Sequence, residues 1–557
     1  MIAFAAVCDA VAATPATLLK IERLAGYLRS LGRDDLNAAS RFLGGDPLGA
    51  SDARRLAIGG RTLLNAAHRV WAFDDESLST AYRATGDLGE ALARLFREPA
   101  APALFAETLT PASLAAILDE IASVGGAAAG KKRAYACERI LRACHTERET
   151  AYAVKILTGD LRIGLREGFV LAAIAAAFGR DAAAVRRAAM AAGDIGAVAL
   201  AAREGTLERI ELRFGSPIGF MLASPMAFES SYRELDGATW IADDKYDGIR
   251  AQAHKRGAEV RLFSRTFSDI GRTFPEIVSA LARQAADFIL DGEIVARRDG
   301  RSLPFRYLQP RLQRNDPSAG MQDEIPAAFV AFDAIALGRE FLVDRTLAER
   351  RSLLAAQLAP GGAFELAPAL ALEANATPEL VRELFAAARE RGNEGLMLKR
   401  ADAPYVPGRR GKWWLKLKRE LSTLDCVVVA VESGHGKRAK VLSDYTFAVR
   451  ASAERDELLT IGKAYTGLTD AEIATMTEWF LEHRIGGGRR TFAVEPAIVV
   501  EIAFDIIQKS SLHPSGYALR FPRIVRLRPD KRVDEIDTLD DVERIYREML
   551  EREGVER

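Results

Sequence analysis

Asp243-Asp244-Lys245-Tyr246-Asp247-Gly248-Ile249-Arg250 follows the apolar run Trp240-Ile241-Ala242 and leads into Ala251-Gln252-Ala253-His254. An apolar run, a lysine, an Asp-Gly pair and a second run read as two strands joined by a tight turn. A lysine at the end of such a strand can project into a cleft. It can equally be a solvated side chain beside a hairpin. As a nucleophile it needs an amine that has lost its proton, which burial and neighbouring cations would favour.

Outward from this hairpin the pattern stays mixed. AEVRLFSR (258–265) follows across a turn at Arg256-Gly257, and FILDGEIVAR (288–297), AAFVAFDAIAL (327–337) and GLMLKRA (395–401) read as further strands. Helices interrupt them: Thr346 and Glu349 make a capping box, and Thr377-Pro378 places an N-cap before a proline. The first two hundred or so residues differ. They are rich in Ala and Leu, poor in β-branched runs, and broken at Gly86-Asp87 and Gly159-Asp160, two expected helix–turn–helix joints. LRFGSPIGFMLASPMA (212–227) gathers Gly, Pro and Ser and marks a boundary. After WWLKLKRE (413–420), LDCVVVAVESG, YTFAVRA, ELLTIGKAY and IVVEIAFDIIQ read as strands of a small barrel, with one helix capped at Thr469 and Glu472. About five strands and one helix suit an OB-fold. The fold class is therefore multidomain. An all-α region spans 1–206, an α+β region with mostly antiparallel strands spans 212–420, and an OB-type β-barrel spans 421–557.

Three further segments bear on chemistry. In Trp414-Leu415-Lys416-Leu417-Lys418 the two-residue period puts both lysines on one face, where they repel unless an anion lies near. A phosphate is the natural candidate; an exposed edge strand protected by lysine is the alternative. Glu293 in Leu290-Asp291-Gly292-Glu293-Ile294 and Glu394 in Asn393-Glu394-Gly395-Leu396 are carboxylates set among apolar residues. Each needs a partner. Mg²⁺ on nucleotide phosphates would serve, as would ion pairs to Lys399 or Lys416.

Bulk properties exclude less. The 557 residues carry 77 basic and 77 acidic side chains, so no global basic footprint is present, although basic clusters begin at Arg409 and around Arg520–Arg528. Cys8, Cys137, Cys144 and Cys426 form no C-x-x-C pair, and the six histidines show no H-x-x-x-H spacing. A zinc ribbon and a disulfide framework are both disfavoured, and a reducing compartment fits. Cys137 and Cys144 read as one buried helical face. Phe4, Val7 and Val11 recur at helical spacing, which makes the N-terminus an amphipathic helix rather than a leader. FVLAAIAAAF is too short to span a membrane.

In chain order these segments resemble the motif series of the covalent nucleotidyltransferases. The series runs Lys245-Tyr246-Asp247-Gly248-Ile249-Arg250, Ser264-Arg265, Asp291-Gly292-Glu293, Ala331-Phe332-Asp333, Glu394-Gly395-Leu396-Met397-Leu398-Lys399, Trp414-Leu415-Lys416-Leu417-Lys418 and Arg528-Pro529-Asp530-Lys531. ILTGDLRIGL (156–165) with EGFVLAAIAAAFG (167–179), and SSLHPSGYALRFPR (510–523), resemble ATP-dependent DNA ligases in particular. The NAD-dependent type is disfavoured, since it carries a four-cysteine zinc finger that this chain cannot build.

The resemblance implies an adenylyltransferase core using ATP and Mg²⁺ to seal nicked double-stranded DNA. It implies a monomer, cytoplasmic and associated with the nucleoid through DNA. By the same resemblance Lys245 is the adenylylated nucleophile. Arg250 and Arg265 contact ribose and phosphates, Arg265 also lying near the nick phosphate. Glu293 holds the ribose or a metal, Glu394 holds a metal, and Phe332 stacks on adenine. Arg410 and Lys416 reach the nucleotide phosphates with Lys418 beside them, and Arg528 and Lys531 orient pyrophosphate. Asp243 stands where the family usually has Glu in contact with adenine. Lys131, Lys132, Arg133, Arg162 and Arg166 are the candidate clamp on duplex DNA.

Overall fold

The computed structural model describes residues 1–49, 54, 56–97, 108–126, 129–226, 235, 237–298, 300–312, 314–373, 376–408, 410–418, 422–434, 438, 441–488 and 491–552. The chain forms two compact units, Met1–Leu78 with Leu88–Lys418, and Ser79–Asp87 with Arg419–Arg557.

Helices alone occupy the described residues up to Glu204. Helix Ile2–Ala12 buries Phe4, Val7 and Val11, the face expected from their spacing. Helix Glu147–Thr158 starts on the Thr146 side chain and stops at Gly159, whose φ of 76° suits a residue without Cβ. The next helix begins at Glu167, so Gly159-Asp160 ends one helix and opens the segment that leads to the next. Cys137 lies in helix Ala129–Arg142 and Cys144 two residues beyond its end. All four cysteines are buried and unbridged.

The α+β part of the first unit contains strands β1 (Leu222–Met226), β2 (Trp240–Lys245), β3 (Ile249–Arg256), β4 (Glu259–Ser264), β5 (Phe288–Arg298), β6 (Arg301–Leu303), β7 (Ala327–Leu337), β8 (Glu340–Phe341), β9 (Phe364–Leu366), β10 (Leu370–Leu372), β11 (Gly395–Arg400) and β12 (Arg410–Lys418). They build two sheets. One runs β1-β12-β11-β2-β10; the other runs β4-β3-β5-β7-β8, with β6 on β5 and β9 on β7. Pairing is antiparallel except at β1–β12 and β7–β9. Every residue of β7 is buried, because a second layer covers each face of its sheet. On one side helices Pro275–Ala282 and Leu347–Gln357 close a core around Phe274, Phe288 and Phe329. On the other, Ile289, Val330 and Phe332 meet Trp414 and Met397 of the first sheet. That sheet turns Leu415 and Leu417 the opposite way, toward helix Pro378–Glu390. The alternation in β12 thus follows the period-two reading. The lysine of the opening hairpin sits at the end of β2, beside the layer between the sheets.

The second unit contains β13 (Ser422–Ser433), β14 (Leu442–Ser452), β15 (Arg455–Ala464), β16 (Arg484–Gly487), β17 (Thr491–Val494), β18 (Val499–Phe504), β19 (Ile506–Lys509), β20 (Tyr517–Arg520) and β21 (Arg523–Leu527). Seven form a curled antiparallel sheet in which the long β13 pairs with β14, β17 and β18. IVVEIAFDIIQ is two strands, not one: the chain breaks at Asp505, whose N–H donates to the Arg520 carbonyl at 3.1 Å and starts the β19–β20 pair. Helix Asp470–Glu482 carries the expected capping box, and a second helix, Leu539–Arg552, joins it.

Candidate active site

Lys245 ends β2, and antiparallel pairing sets it opposite Gly395 of β11. The Glu394 N–H donates to the Lys245 carbonyl at 2.7 Å, and the Lys245 ammonium donates to the Glu394 carboxylate. Lys418 of β12 reaches the same carboxylate at 3.0 Å. Two lysines, one from β2 and one from β12, therefore converge on one acid. Burial works to raise the Glu394 pKa, but Lys245 and Lys418 hold it down at about 2. Gly395 is required here: its φ is 152°, and a Cβ would meet the Leu417 carbonyl at 2.3 Å.

Asp247 and Glu293 complete the acidic side. Asp247 accepts from the Phe305 N–H at 2.9 Å, and burial together with the Glu394 charge raises its pKa to about 6. Glu293 is half-buried on β5, in register with Arg250 of β3. Loss of water pushes its pKa up to about 8, against the pull of Lys245 and Arg250. The intervening turn is tight: a Cβ on Gly248 would meet the Ile294 carbonyl at 2.2 Å.

The pH dependence follows from Glu293. The folded chain keeps a proton that the unfolded chain releases near 4.5, so this carboxyl's contribution to stability is complete below that pH. It falls away as pH rises to about 8. Glu293→Gln, which cannot ionise, should match the wild-type Tm near about pH 5 and exceed it near about pH 9. A Tm below wild type at the higher pH would reverse the sign of this argument.

Arg250 forms the floor. Its guanidinium pairs with Asp291 at 3.0 and 2.7 Å and donates to the Met221 carbonyl at 2.5 Å. Its charge lies 4.8 Å from the Phe220 ring centre, 5.5 Å from Phe332 and 5.3 Å from Trp414. Tyr405 adds a hydrogen bond to Asp291 at 2.8 Å.

Asp243 is buried and fully engaged. It accepts from Lys399 at 2.6 Å and from Arg351 at 3.1 Å to each oxygen. Arg351 also donates to the carbonyls of Phe332 and Ala367, at 2.7 and 2.6 Å. Lys399 lies 3.8 Å from the Phe332 ring centre.

Of the residues singled out in the sequence, Asp243, Lys245, Arg250, Glu293, Phe332, Glu394 and Lys418 line this one region. Lys416 is half-buried on the same strand face as Lys418. Arg265 is exposed just beyond β4 and makes no hydrogen bond or ion pair among the described residues. Arg409 and the Arg410 side chain lie outside the described residues. Arg528 and Lys531 belong to the second unit, where both pair with Asp425.

Sequence reasoning missed roles for Asp247, Asp291, Arg351 and Tyr405, and it offered Lys399 as a partner for Glu293 or Glu394 where the structure pairs it with Asp243. The pair Arg350-Arg351 in a capped helix was a usable signal, since Arg350 is 0% and Arg351 8% exposed. Buried arginines demand carboxylates, and Asp333 and Asp243 supply them.

Among the described residues no three His, Cys, Asp or Glu side chains stand close enough to hold a metal by themselves. Mg²⁺ takes one or two carboxylates and fills its shell with water and phosphate oxygens. Glu394, whose charge acts on both Asp247 and Glu293, fits that need.

A lysine flanked by carboxylates, cations and an aromatic wall, between two mostly antiparallel sheets, suits nucleotidyl transfer. Family models agree: residues 1–175 match the DNA ligase N terminus, 220–418 the ATP dependent DNA ligase domain, and 438–531 the ATP dependent DNA ligase C terminal region. A probable DNA ligase of Koribacter versatilis is 44% identical, over 97% of this chain and 95% of that one. A DNA ligase of Methanoculleus marisnigri is 34% identical, over 98% and 97%. A solved chain titled Pmar-Lig_Pre shares the fold at 18% identity with a TM-score of 0.56, covering 94% of this chain and 99% of that one. The chain belongs to the ATP-dependent DNA ligase family, whose activity is the sealing of nicks with ATP. Among the described residues no helix is long and apolar enough to cross a membrane.

Proposed function

We propose that Lys245 is the residue that carries AMP, and that the remaining site residues take the roles that family membership implies. The observation that carries this reading is the meeting of Lys245, Glu394 and Lys418 at the ends of three neighbouring strands. The amine must leave Glu394 and give up a proton before it attacks the α-phosphate of ATP in line. The Lys245–phosphorus bond forms as the bond to pyrophosphate breaks. AMP then passes to the 5′-phosphate of a nick, and the 3′-hydroxyl displaces it.

Phe332 offers a face to the adenine ring, while Arg250 and Lys418, with Lys416, balance the developing phosphate charge. Arg265 is free to meet the nick phosphate. Glu293, Glu394 and Asp247 are the residues suited to Mg²⁺, which supplies charge neutralisation on the phosphates when bound. Asp243 braces the pocket through Arg351 and Lys399, so an adenine contact in this chain falls to its backbone. The regions 1–206, 212–420 and 421–557 act as DNA clamp, adenylyl-transfer core and mobile cover. The enzyme works as a monomer on nicked duplex DNA in the cytoplasm. Incubation with labelled ATP and Mg²⁺ tests the reading. Acid-stable label should map to Lys245, and label on another lysine refutes it.

The last motif separates the steps. Replacing both Arg528 and Lys531 with Ala should slow self-adenylylation by roughly 10²–10³, the scale of lost electrostatic stabilisation. Sealing of DNA that already carries AMP on its 5′ end should change far less. Equal losses in the two assays would argue against a cover that acts on pyrophosphate.

A further inference from the structure

Arg528 and Lys531 are already occupied. Asp425, fourth residue of β13, accepts from Arg528 Nη1 at 2.8 and 2.9 Å and from Lys531 Nζ at 2.7 Å. The acid itself is fixed. Its N–H donates to the Asp537 carboxylate at 2.7 Å, and its carbonyl accepts from the Asp537 N–H at 2.9 Å. The remaining edge of Arg528 faces Asp530, at 2.8–3.1 Å, and Asp530 is 60% exposed. Side-chain exposure is 12% for Asp425, 13% for Arg528 and 30% for Lys531.

Two cations placed side by side repel, and a carboxylate between them removes the repulsion. Both of its oxygens accept from one guanidinium nitrogen, Arg528 Nη1, a charge-assisted contact that phosphate oxygens can also make. The four charges of Arg528, Lys531, Asp425 and Asp530 sum to zero, so the cluster attracts a further anion weakly.

We propose that Asp425 is a positioning residue that stands in for pyrophosphate: it holds Arg528 and Lys531 together between turnovers and keeps their grip on the released product weak. This rests on the reading of Arg528 and Lys531 as the cations that meet pyrophosphate. During lysine adenylylation the phosphate oxygens take the two cations from Asp425, and when pyrophosphate leaves Asp425 recovers them. The acid thus trades affinity for the product against fast release.

The test uses the full chain carrying Asp425→Asn and inorganic pyrophosphate as inhibitor of self-adenylylation at fixed ATP. Half-inhibition should occur at roughly fivefold lower pyrophosphate than in wild type, the scale of one partly exposed charge pair. The gap should widen at low salt, where screening is weaker. Asp425→Glu, which keeps the charge, should stay near wild type. Unchanged or weaker inhibition of the Asn variant overturns the proposal. Asp425→Ser provides a second neutral variant. If neither neutral variant folds, Asp425 is a structural brace and the proposal falls. Wild-type self-adenylylation by the double alanine variant of Arg528 and Lys531 would instead remove the underlying reading, whatever Asp425 does.

Discussion

Lys245→Ala should lose covalent AMP attachment altogether, a drop on the order of 10⁶ such as follows removal of a nucleophile. The fold should survive, because the lysine is one of two cations on Glu394 and Lys418 at 3.0 Å remains. Melting temperature and circular dichroism check the fold; mass spectrometry of protein incubated with ATP checks the adduct. The variant should also fail on ordinary nicked DNA yet retain some sealing of DNA already adenylylated at its 5′ end, since that step does not need the amine. AMP found on the variant chain would move the nucleophile elsewhere. Loss of sealing on pre-adenylylated DNA alone would not, but it would show that Lys245 also shapes the later steps.

Removal of residues 1–206 should leave self-adenylylation largely intact and cripple nick joining. All the residues around Lys245 follow this segment, and β1 begins only at Leu222. Truncation does cut packing within the first unit. Arg187 pairs with Asp344 and lies 5.8 Å from the Phe341 ring centre, so some loss of stability is expected. Lys131, Lys132 and Arg166 are exposed, whereas Arg133 is half-buried against the Val124 carbonyl and Arg162 pairs with Asp160 at 3.0 Å. The first three are the stronger candidates for binding the DNA backbone. Each phosphate that the truncated chain no longer neutralises should change the slope of log K against log salt by about 0.9. Joining assays across a salt series measure this. Full activity of the truncated chain at physiological salt would show that the segment is no DNA clamp. Loss of AMP labelling would place the boundary elsewhere.

Much of this architecture is legible in the sequence. The hairpin around Lys245, the two faces of Trp414–Lys418 and the caps at Thr346, Thr377 and Thr469 depend on local periodicity and local hydrogen bonds. Sequence carries such information directly. The short strands β9, β10, β16 and β17 are not legible, because a three- or four-residue strand has too few residues to show a period. Asp505 illustrates another limit. A single polar residue inside an apolar run gives no warning that the chain changes partners there.

The site shows the same division. Residues recognisable as motifs stand out, and those defined by long-range pairing do not. Arg351 meets Asp243 across 108 positions and Lys399 meets it across 156, so neither partner could be named from spacing. The exchange of the usual Glu for Asp243 is visible in the sequence. That its carboxylate is consumed by two buried cations is not.

The cysteines have a practical consequence. All four are buried, and loss of water raises their thiol pKa values, to about 11 for Cys137 and about 12 for Cys144. None offers a thiolate at neutral pH, and thiolate is the reactive form. Alkylating reagents and mild oxidants therefore have little to attack in the native fold, so the enzyme can be handled without added reductant. A cysteine introduced at a chosen surface position would be the single reactive thiol of the chain, and a fluorophore or spin label placed there would report on that position alone.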